Sequence, residues 1–269
     1  MKRLRGAFLV LTLAASLPAM GTLLASKPAA SRASASLSTV PLPTESALPQ
    51  WSIVGLGDSV TAASACACTG FIDLYGEQLH ATTNVATVTH NLGVPGQTSA
   101  GLLATLRYDP TARAAVAGGD IVVVTIGAND FDYATDTCGD TSCYASALMA
   151  LRTNMSAILS TIQTLRSGRS TLVLVTDYWE IWKDGAVGKS LGAQYMTVGD
   201  TLTQSVNSVI GQASSDAGAR FVDLYVPFHG PQGTDDDTAL LAADGDHPSA
   251  AGHAVIADAL LHAGTTPLA

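Results

Sequence analysis

Short apolar runs alternate along this chain with longer stretches of helical periodicity. The clearest apolar run, residues 121–126, consists of isoleucine, valine and one threonine, the β-branched residues that favour buried strands. The longest helical pattern covers residues 144–165, where leucine, methionine and isoleucine recur at spacings of three and four. This alternation restricts the chain to an α/β fold in which helices cover the faces of a parallel sheet.

Five apolar runs are strand candidates, so we predict a three-layer α/β/α sandwich around a five-stranded parallel sheet. The strands are predicted over residues 52–56, 85–90, 121–126, 172–176 and 221–224. Helices are predicted over residues 70–80, from 98 onward, over 144–165, over 194–217, and after a start signal at Pro248 and Ser249. Ligands bind at the carboxyl ends of the strands in such a sheet, so the loops there are where function is expected.

The first residues are typical of an export signal. Three basic residues precede an apolar run over 6–25, and small residues suited to cleavage follow, so residues 1–35 are predicted to be a signal peptide. Residues 36–50 are a Ser/Pro-rich leader, and residues 51–269 have the length of one ordinary domain. An uncleaved membrane anchor is the alternative for the apolar run. We expect a secreted protein without a stable membrane anchor.

The charge balance argues against nucleic acid as a partner. The chain has 13 basic and 22 acidic residues, a net charge of −9. Residues 1–35 contain five of the basic residues and none of the acidic ones, so their removal leaves 8 basic against 22 acidic residues and a charge of −14. An acidic surface repels phosphate backbones. We therefore expect no nucleic-acid partner. We also expect a monomer that acts on a small molecule.

The cysteines number four, an even count that predicts two disulfides in an exported chain. We slightly favour local pairing of Cys66 with Cys68 and of Cys138 with Cys143. Pairing across the two loops stays open, because the loops after the first and third strands are expected to be neighbours. The spacings match no common zinc pattern, so we expect neither a metal site nor a cofactor.

A serine, Ser59, follows the first predicted strand within Gly57-Asp58-Ser59. A residue in this place can be exposed at the edge of the sheet, and the helix after it can direct N–H groups at a developing anion. The surrounding residues do not form the G-x-S-x-G elbow of α/β-hydrolases. Taken alone, a serine after a Gly-Asp turn is more typical of a turn or helix-cap residue than of a nucleophile.

A histidine that could activate this serine is His247, which lies three residues after Asp244 at the start of the last helix. A serine hydroxyl needs a base, and the base needs a carboxylate that orients it. One turn brings Asp244 onto the imidazole, whereas the side chain of the adjacent Asp246 is expected to diverge. The other histidines lack an acid placed in this way, and we expect His253 and His262 on the surface or flank of the final helix.

Hydrogen-bond donors for an oxyanion are predicted in the next two loops, at Gly96 and Asn129. If the sheet order is 2-1-3-4-5, the loops after strands one and three flank the topological switch point, and Ser59 and Asn129 face one crevice. An amide and two backbone N–H groups would form an oxyanion hole there. Gly96 can also be a turn glycine with positive φ and Asn129 a loop cap, and these structural roles are compatible with the functional ones.

Four blocks of this sequence together resemble those of the SGNH hydrolases, the GDSL esterases and lipases. The blocks are Gly57-Asp58-Ser59-Val60, the loop with Gly96, Gly127-Ala128-Asn129-Asp130 and Asp244-Gly245-Asp246-His247, in the family's order. The resemblance implies a flavodoxin-like fold in which Ser59 attacks and His247 is the base. It also implies that Asp244 orients His247, and that Gly96, Asn129 and the Ser59 N–H hold the oxyanion.

The function that follows from the resemblance is hydrolysis of a small carboxylic ester or lipid through an acyl-enzyme. A carbohydrate O-deacetylase or an acyltransferase is the alternative, since the same residues serve those reactions. A catalytically silent binding protein is disfavoured, because binding alone needs none of these residues in this arrangement. The loop over 177–192 carries Trp179 and Trp182, which either line an acyl pocket or anchor the loop on the core.

Overall fold

The computed structural model describes residues 49–132 and 140–268. The predicted signal peptide, the leader up to residue 48, and Cys138 lie outside these residues. The sheet has five parallel strands in the order β2-β1-β3-β4-β5, which confirms the predicted fold class and strand order. The strands are β1 (Gln50–Gly57), β2 (Ala86–Gly93), β3 (Ile121–Thr125), β4 (Leu172–Thr176) and β5 (Arg220–Val222).

Helices cover both faces of the sheet. They are α1 (Ser59–Ala62), α2 (Phe71–Thr83), α3 (Ser99–Tyr108), α4 (Pro110–Gly118), α5 (Ala145–Leu165), α6 (Gly185–Leu191), α7 (Ala193–Asp216), α8 (Tyr225–His229) and α9 (Ala250–His262). The long helices lie where the sequence predicted them, whereas α1, α4, α6 and α8 were not predicted. These four have nine residues or fewer, too few for a periodic pattern to be recognised.

The core of the sheet is formed by its two central strands. All five residues of β3 are buried, and so are the last five of β1. By contrast, β2 lies at the edge and is only partly buried, which explains its weak sequence pattern. This strand continues to Gly93, beyond the predicted end at His90, because Gly93 pairs with Gly57 of β1.

The prediction for His253 was wrong. Only 1% of this residue is exposed, and its ring stacks on Phe71 of α2 with the ring centroids 6.0 Å apart. Burial lowers the pKa of His253 to about 4, so the imidazole is neutral at neutral pH. The start of α9 is as predicted, since the Ser249 side chain caps it by accepting from the N–H of Gly252 at 3.3 Å.

Two of the cysteines, Cys66 and Cys68, form a close pair in the loop before α2, with their Cα atoms 5.1 Å apart. This arrangement agrees with the favoured local pairing. The pairing of Cys143 with Cys138 stays a prediction, because Cys138 is not among the described residues.

Across residues 49–132 and 140–268, no helix combines the length and the apolar character that crossing a membrane requires.

Candidate active site

A cavity of 780 Å³ opens at the carboxyl ends of the central strands. Its lining includes Ser59, Gly96, Asn129 and His247, so the structure brings these four predicted residues together. They are 37, 33 and 118 residues apart along the chain, and the fold makes them neighbours.

The position of Ser59 is set by the turn between β1 and α1. Gly57 has a φ of +154° and packs against the backbone carbonyl of Thr125, where a side chain would collide. Asp58 then caps α1, since its Oδ1 accepts from the N–H of Val60 at 2.9 Å. Ser59 is thereby the first residue of α1, and its own N–H has no acceptor within the helix.

Asp58 itself is completely buried beside this serine. Its second carboxylate oxygen accepts a hydrogen bond from the hydroxyl of Tyr178, which reaches across from the loop after β4. Burial raises the pKa of Asp58 to about 6, although the bonds from Tyr178 and Val60 and the charge of His247 oppose this shift. The role of Asp58 was not predicted from the sequence, where its place directly before Ser59 is the signal that points to it.

The turn before α9 presents His247 to the cavity. Oδ2 of Asp244 lies 2.7 Å from Nδ1 of His247, and Oδ1 accepts from the backbone N–H groups of Asp246 and His247, each at 3.1 Å. Burial alone raises the pKa of Asp244, but these hydrogen bonds and the charge of His247 outweigh it, so the pKa lies below its usual value. With Nδ1 held by Asp244, Nε2 is the nitrogen left for a reacting group.

Hydrogen bonds to its backbone carbonyl groups hold this turn from both sides. The N–H of Ala242 donates to the carbonyl of His247 at 2.7 Å, and Nζ of Lys183 donates to the carbonyl of Asp244 at 2.9 Å. The N–H of Asp184 donates to the carbonyl of Gly245 at 2.6 Å. The loop after β4 therefore supports the turn that carries His247.

The two remaining predicted residues, Gly96 and Asn129, also line the cavity. Gly96 has a φ of +74° in the turn after β2, a backbone conformation that favours glycine. Nδ2 of Asn129 donates to the carbonyl of Gln97 at 3.1 Å, and the amide has a second hydrogen that this bond does not use. The loops after β2 and β3 are thus joined directly at the predicted oxyanion site.

A polar clamp that the sequence did not reveal reinforces this junction. The carboxylate of Asp130 accepts from the N–H of Ser99 at 2.9 Å and from its hydroxyl at 2.6 Å. Nδ2 of Asn154, on α5, donates to the same hydroxyl at 2.9 Å. Asp130 follows Asn129 directly, so the clamp fixes the loop that carries the amide.

The aromatic loop after β4 both packs on the core and lines the cavity, so each of its two predicted roles has structural support. Trp179 stacks on Phe228 with the ring centroids 4.4 Å apart, and Nε1 of Trp182 donates to the carbonyl of Phe131 at 3.1 Å. Both tryptophans are at least 95% buried, yet both belong to the cavity lining. The wall they form is therefore rigid and largely apolar.

Comparison with known proteins identifies the family of the chain. The model of the GDSL-like lipase/acylhydrolase family matches residues 56–255, about three quarters of the chain. A solved lipase from a goat rumen metagenome, Lip_vut3, is 20% identical, with a TM-score of 0.66 over 81% of this chain and 100% of its own. No curated protein sequence matches the chain.

Two further solved structures share the fold at a similar sequence identity. A lipase/acylhydrolase from Enterococcus faecalis is 21% identical, with a TM-score of 0.53 over 79% of this chain and 94% of its own. A catalytic mutant of Axe2, an acetylxylan esterase from Geobacillus stearothermophilus, is 21% identical, with a TM-score of 0.55 over 79% and 93%. The family match covers all four predicted motifs, and on that basis the chain belongs to the GDSL-like lipase/acylhydrolase family and is a carboxylic ester hydrolase.

Proposed function

We propose that the protein hydrolyses esters through an acyl-enzyme formed on Ser59. The observation that carries this proposal is that Ser59, Gly96, Asn129 and His247 line the same cavity. Behind His247, the carboxylate of Asp244 is hydrogen-bonded to Nδ1 of the imidazole. This arrangement supplies a nucleophile, a base with its orienting carboxylate, and donors for a developing negative charge.

The reaction proceeds in two halves. Oγ of Ser59 attacks the ester carbonyl carbon while Nε2 of His247 takes its proton, and the imidazolium then gives that proton to the departing alcohol. A water molecule attacks the resulting acyl-serine, His247 again takes the proton, and the carboxylic acid leaves as Ser59 recovers its hydrogen. Asp244 is a positioning residue that fixes the tautomer and stabilises the imidazolium.

The oxyanion would be held by three donors from three loops. The N–H of Ser59 has no acceptor within α1, the N–H of Gly96 belongs to a turn at the cavity, and the Asn129 amide keeps one hydrogen in addition to its bond with Gln97. These donors are fixed before substrate arrives, which is the condition for strong electrostatic stabilisation of a transition state.

The expected substrates are soluble esters with short to medium acyl chains. The cavity is large enough for a small ligand, and Trp179, Trp182, Tyr195 and Leu191 give its wall an apolar character. The high acidic charge of the chain disfavours anionic polymers. A series of p-nitrophenyl esters of increasing acyl length, run beside acetylated xylan, distinguishes an esterase from a carbohydrate O-deacetylase.

The test of the nucleophile compares Ser59→Ala with Ser64→Ala. Ser64 lies in the same cavity, where its hydroxyl donates to the carbonyl of Ser59 at 3.4 Å, so it is a matched control. We expect Ser59→Ala to abolish ester hydrolysis and labelling by an organophosphonate, and Ser64→Ala to retain both. Near-normal activity of Ser59→Ala, or labelling of another serine, contradicts the proposal.

We also propose that the protein is exported, with residues 1–35 removed and the cysteines paired locally. The n-region, apolar run and small residues of the sequence support export, and the close pair of Cys66 and Cys68 supports local pairing. N-terminal sequencing of protein from the culture medium should begin at Ser36. Non-reducing peptide maps that link Cys66 or Cys68 to Cys138 or Cys143 would contradict the local pairing.

A further inference from the structure

A second group of polar side chains lies buried behind the aromatic loop, outside the catalytic cavity. It consists of Asp184, His229 and Asp237, each at most 8% exposed, with a ligand-type atom from each lying within 4.8 Å of the other two. We propose that these three residues bind a divalent transition-metal ion, of which Zn²⁺ is the representative.

Two hydrogen-bond acceptors surround one imidazole nitrogen of this group. Nε2 of His229 lies 3.3 Å from Oδ2 of Asp184 and 3.2 Å from the carbonyl oxygen of Trp179. Its Nδ1 lies 3.5 Å from the carbonyl oxygen of Asp235, so a hydrogen on Nδ1 has an acceptor there. In this tautomer Nε2 and the oxygen atoms of Asp184 and Trp179 present only lone pairs to one another, and a cation between them gives each a partner. In the other tautomer Nε2 instead donates its hydrogen to one of these oxygen atoms.

One carboxylate oxygen of Asp237 has no hydrogen-bond partner among the described residues. Asp237 is only 2% exposed, yet its Oδ2 is completely buried and has no hydrogen-bond partner in the described part of the chain. Burying a polar atom without a hydrogen-bond partner lowers the stability of the folded state. Here the atom belongs to the carboxylate that lies close to Asp184 and His229. A bound metal ion gives this oxygen a partner.

The negative charge of Asp184 and Asp237 also favours a bound cation. Two carboxylates share the buried space, and among the described residues no lysine or arginine forms an ion pair with either. The nearby Lys189 is exposed and is paired with Asp236, where its Nζ lies 2.6 Å from the carboxylate. A divalent cation would balance the two negative charges of Asp184 and Asp237.

The donor types select the class of ion. One imidazole and two carboxylates suit zinc and related transition metals, whereas calcium and magnesium favour oxygen ligands alone. The nearby carbonyl of Trp179 or a water molecule would complete a tetrahedral arrangement. The ligand atoms lie close enough for metal bonds after small side-chain adjustments.

The ion would join three segments that surround the catalytic cavity. Asp184 lies in the loop that carries Trp179 and Trp182, His229 ends α8, and Asp237 lies in the segment that leads to His247. Asp184 already touches that segment through its bond to Gly245. The ion would therefore stabilise the fold around the active site without touching the substrate.

Binding is tested on untagged, EDTA-treated protein titrated with ZnCl₂ alone, with CaCl₂ in a parallel series. We expect one Zn²⁺ per chain and, at a hundredfold excess over Kd, a rise in Tm of about 5–10 °C, with little response to calcium. Asp237→Asn should weaken this binding at least tenfold. Asp236→Asn, which changes the adjacent exposed carboxylate, should leave it intact.

The alternative occupant of the group is a proton shared between His229 and the carboxylates. It predicts no zinc-dependent rise in Tm, or the same rise in Asp237→Asn, and either result overturns the proposal. If Asp237→Asn fails to fold, anomalous diffraction at the zinc edge from a soaked crystal of the unmodified protein decides, since the peak must lie between Asp184 and His229. The response to zinc should survive in Ser59→Ala, so this proposal and the catalytic one fail separately.

Discussion

The carboxylate of Asp244 lies 2.7 Å from Nδ1 of His247, whereas that of Asp246 lies 3.9 Å from the same nitrogen. Only the shorter distance allows a hydrogen bond. The difference arises from the turn itself, because Oδ1 of Asp244 also accepts from the two backbone N–H groups at its end. Asp244 is thereby fixed in the orientation in which Oδ2 meets the imidazole.

We therefore expect Asp244→Asn to lower kcat far more than Asp246→Asn. The amide cannot stabilise the imidazolium formed during attack, and the loss should approach about 10⁴-fold, as in other serine triads. Steady-state kinetics on a p-nitrophenyl ester measures both variants. The ranking is decisive, since an inactive Asp246→Asn beside an active Asp244→Asn would reverse the assignment.

Replacing the cavity amide by Asn129→Ala should lower kcat by roughly 10²–10³ with little change in KM, because an oxyanion donor binds more strongly in the transition state than in the ground state. The substitution also removes the bond to Gln97, so a Tm measurement is needed beside the kinetics. A change confined to KM would mean that Asn129 positions substrate instead.

The bond between Tyr178 and Asp58 gives a prediction about stability. Tyr178→Phe leaves a buried carboxylate without one of its donors, which should cost about 1–3 kcal/mol of unfolding free energy. This bond lowers the pKa of Asp58, so the loss should be larger at pH 8, where the carboxylate is ionised, than at pH 5. Denaturant titration measures both values.

The matched control for this prediction is Tyr108→Phe. Tyr108 is 79% exposed, so removal of its hydroxyl should leave stability almost unchanged at both pH values. Equal effects of the two substitutions would show that the buried bond contributes nothing.

The pH dependence of stability should reflect Asp177. Burial first, and then the charge of Asp223, raise the pKa of this carboxyl to about 7, although it accepts from the N–H of Leu224 at 2.6 Å. The folded state therefore keeps a proton that the unfolded state releases near pH 4, and stability is lost as the pH rises from about 4 to 7. Asp177→Asn retains an oxygen for Leu224 and removes this loss.

We expect the Tm of Asp177→Asn to fall less between pH 5 and pH 8 than the Tm of the unmodified protein. Asp216→Asn, on the exposed end of α7, should follow the unmodified protein. Calorimetry at the two pH values measures these changes in Tm. Equal decreases in Tm for all three proteins would contradict the prediction.

The fold was predictable because its signals are local. Buried strands such as β3 are continuous β-branched runs, and long helices such as α5 repeat an apolar pattern every three or four residues. The edge strand β2 and the four short helices have weaker patterns, so the end of β2 was misplaced and the short helices were not predicted. His253 shows the limit of local reasoning, since its burial depends on packing of α9 against α2.

Short stretches of neighbouring residues were enough to predict the order of strands and helices along the chain, the family, and the motifs that supply Ser59, Gly96, Asn129 and His247. The contacts of these groups follow from the tertiary fold. The bond of Tyr178 to Asp58 spans 120 residues, and the Asp184, His229 and Asp237 group draws on three separate segments. Such contacts have no spacing in the chain that would reveal them, since they exist only once the sheet has brought its loops together.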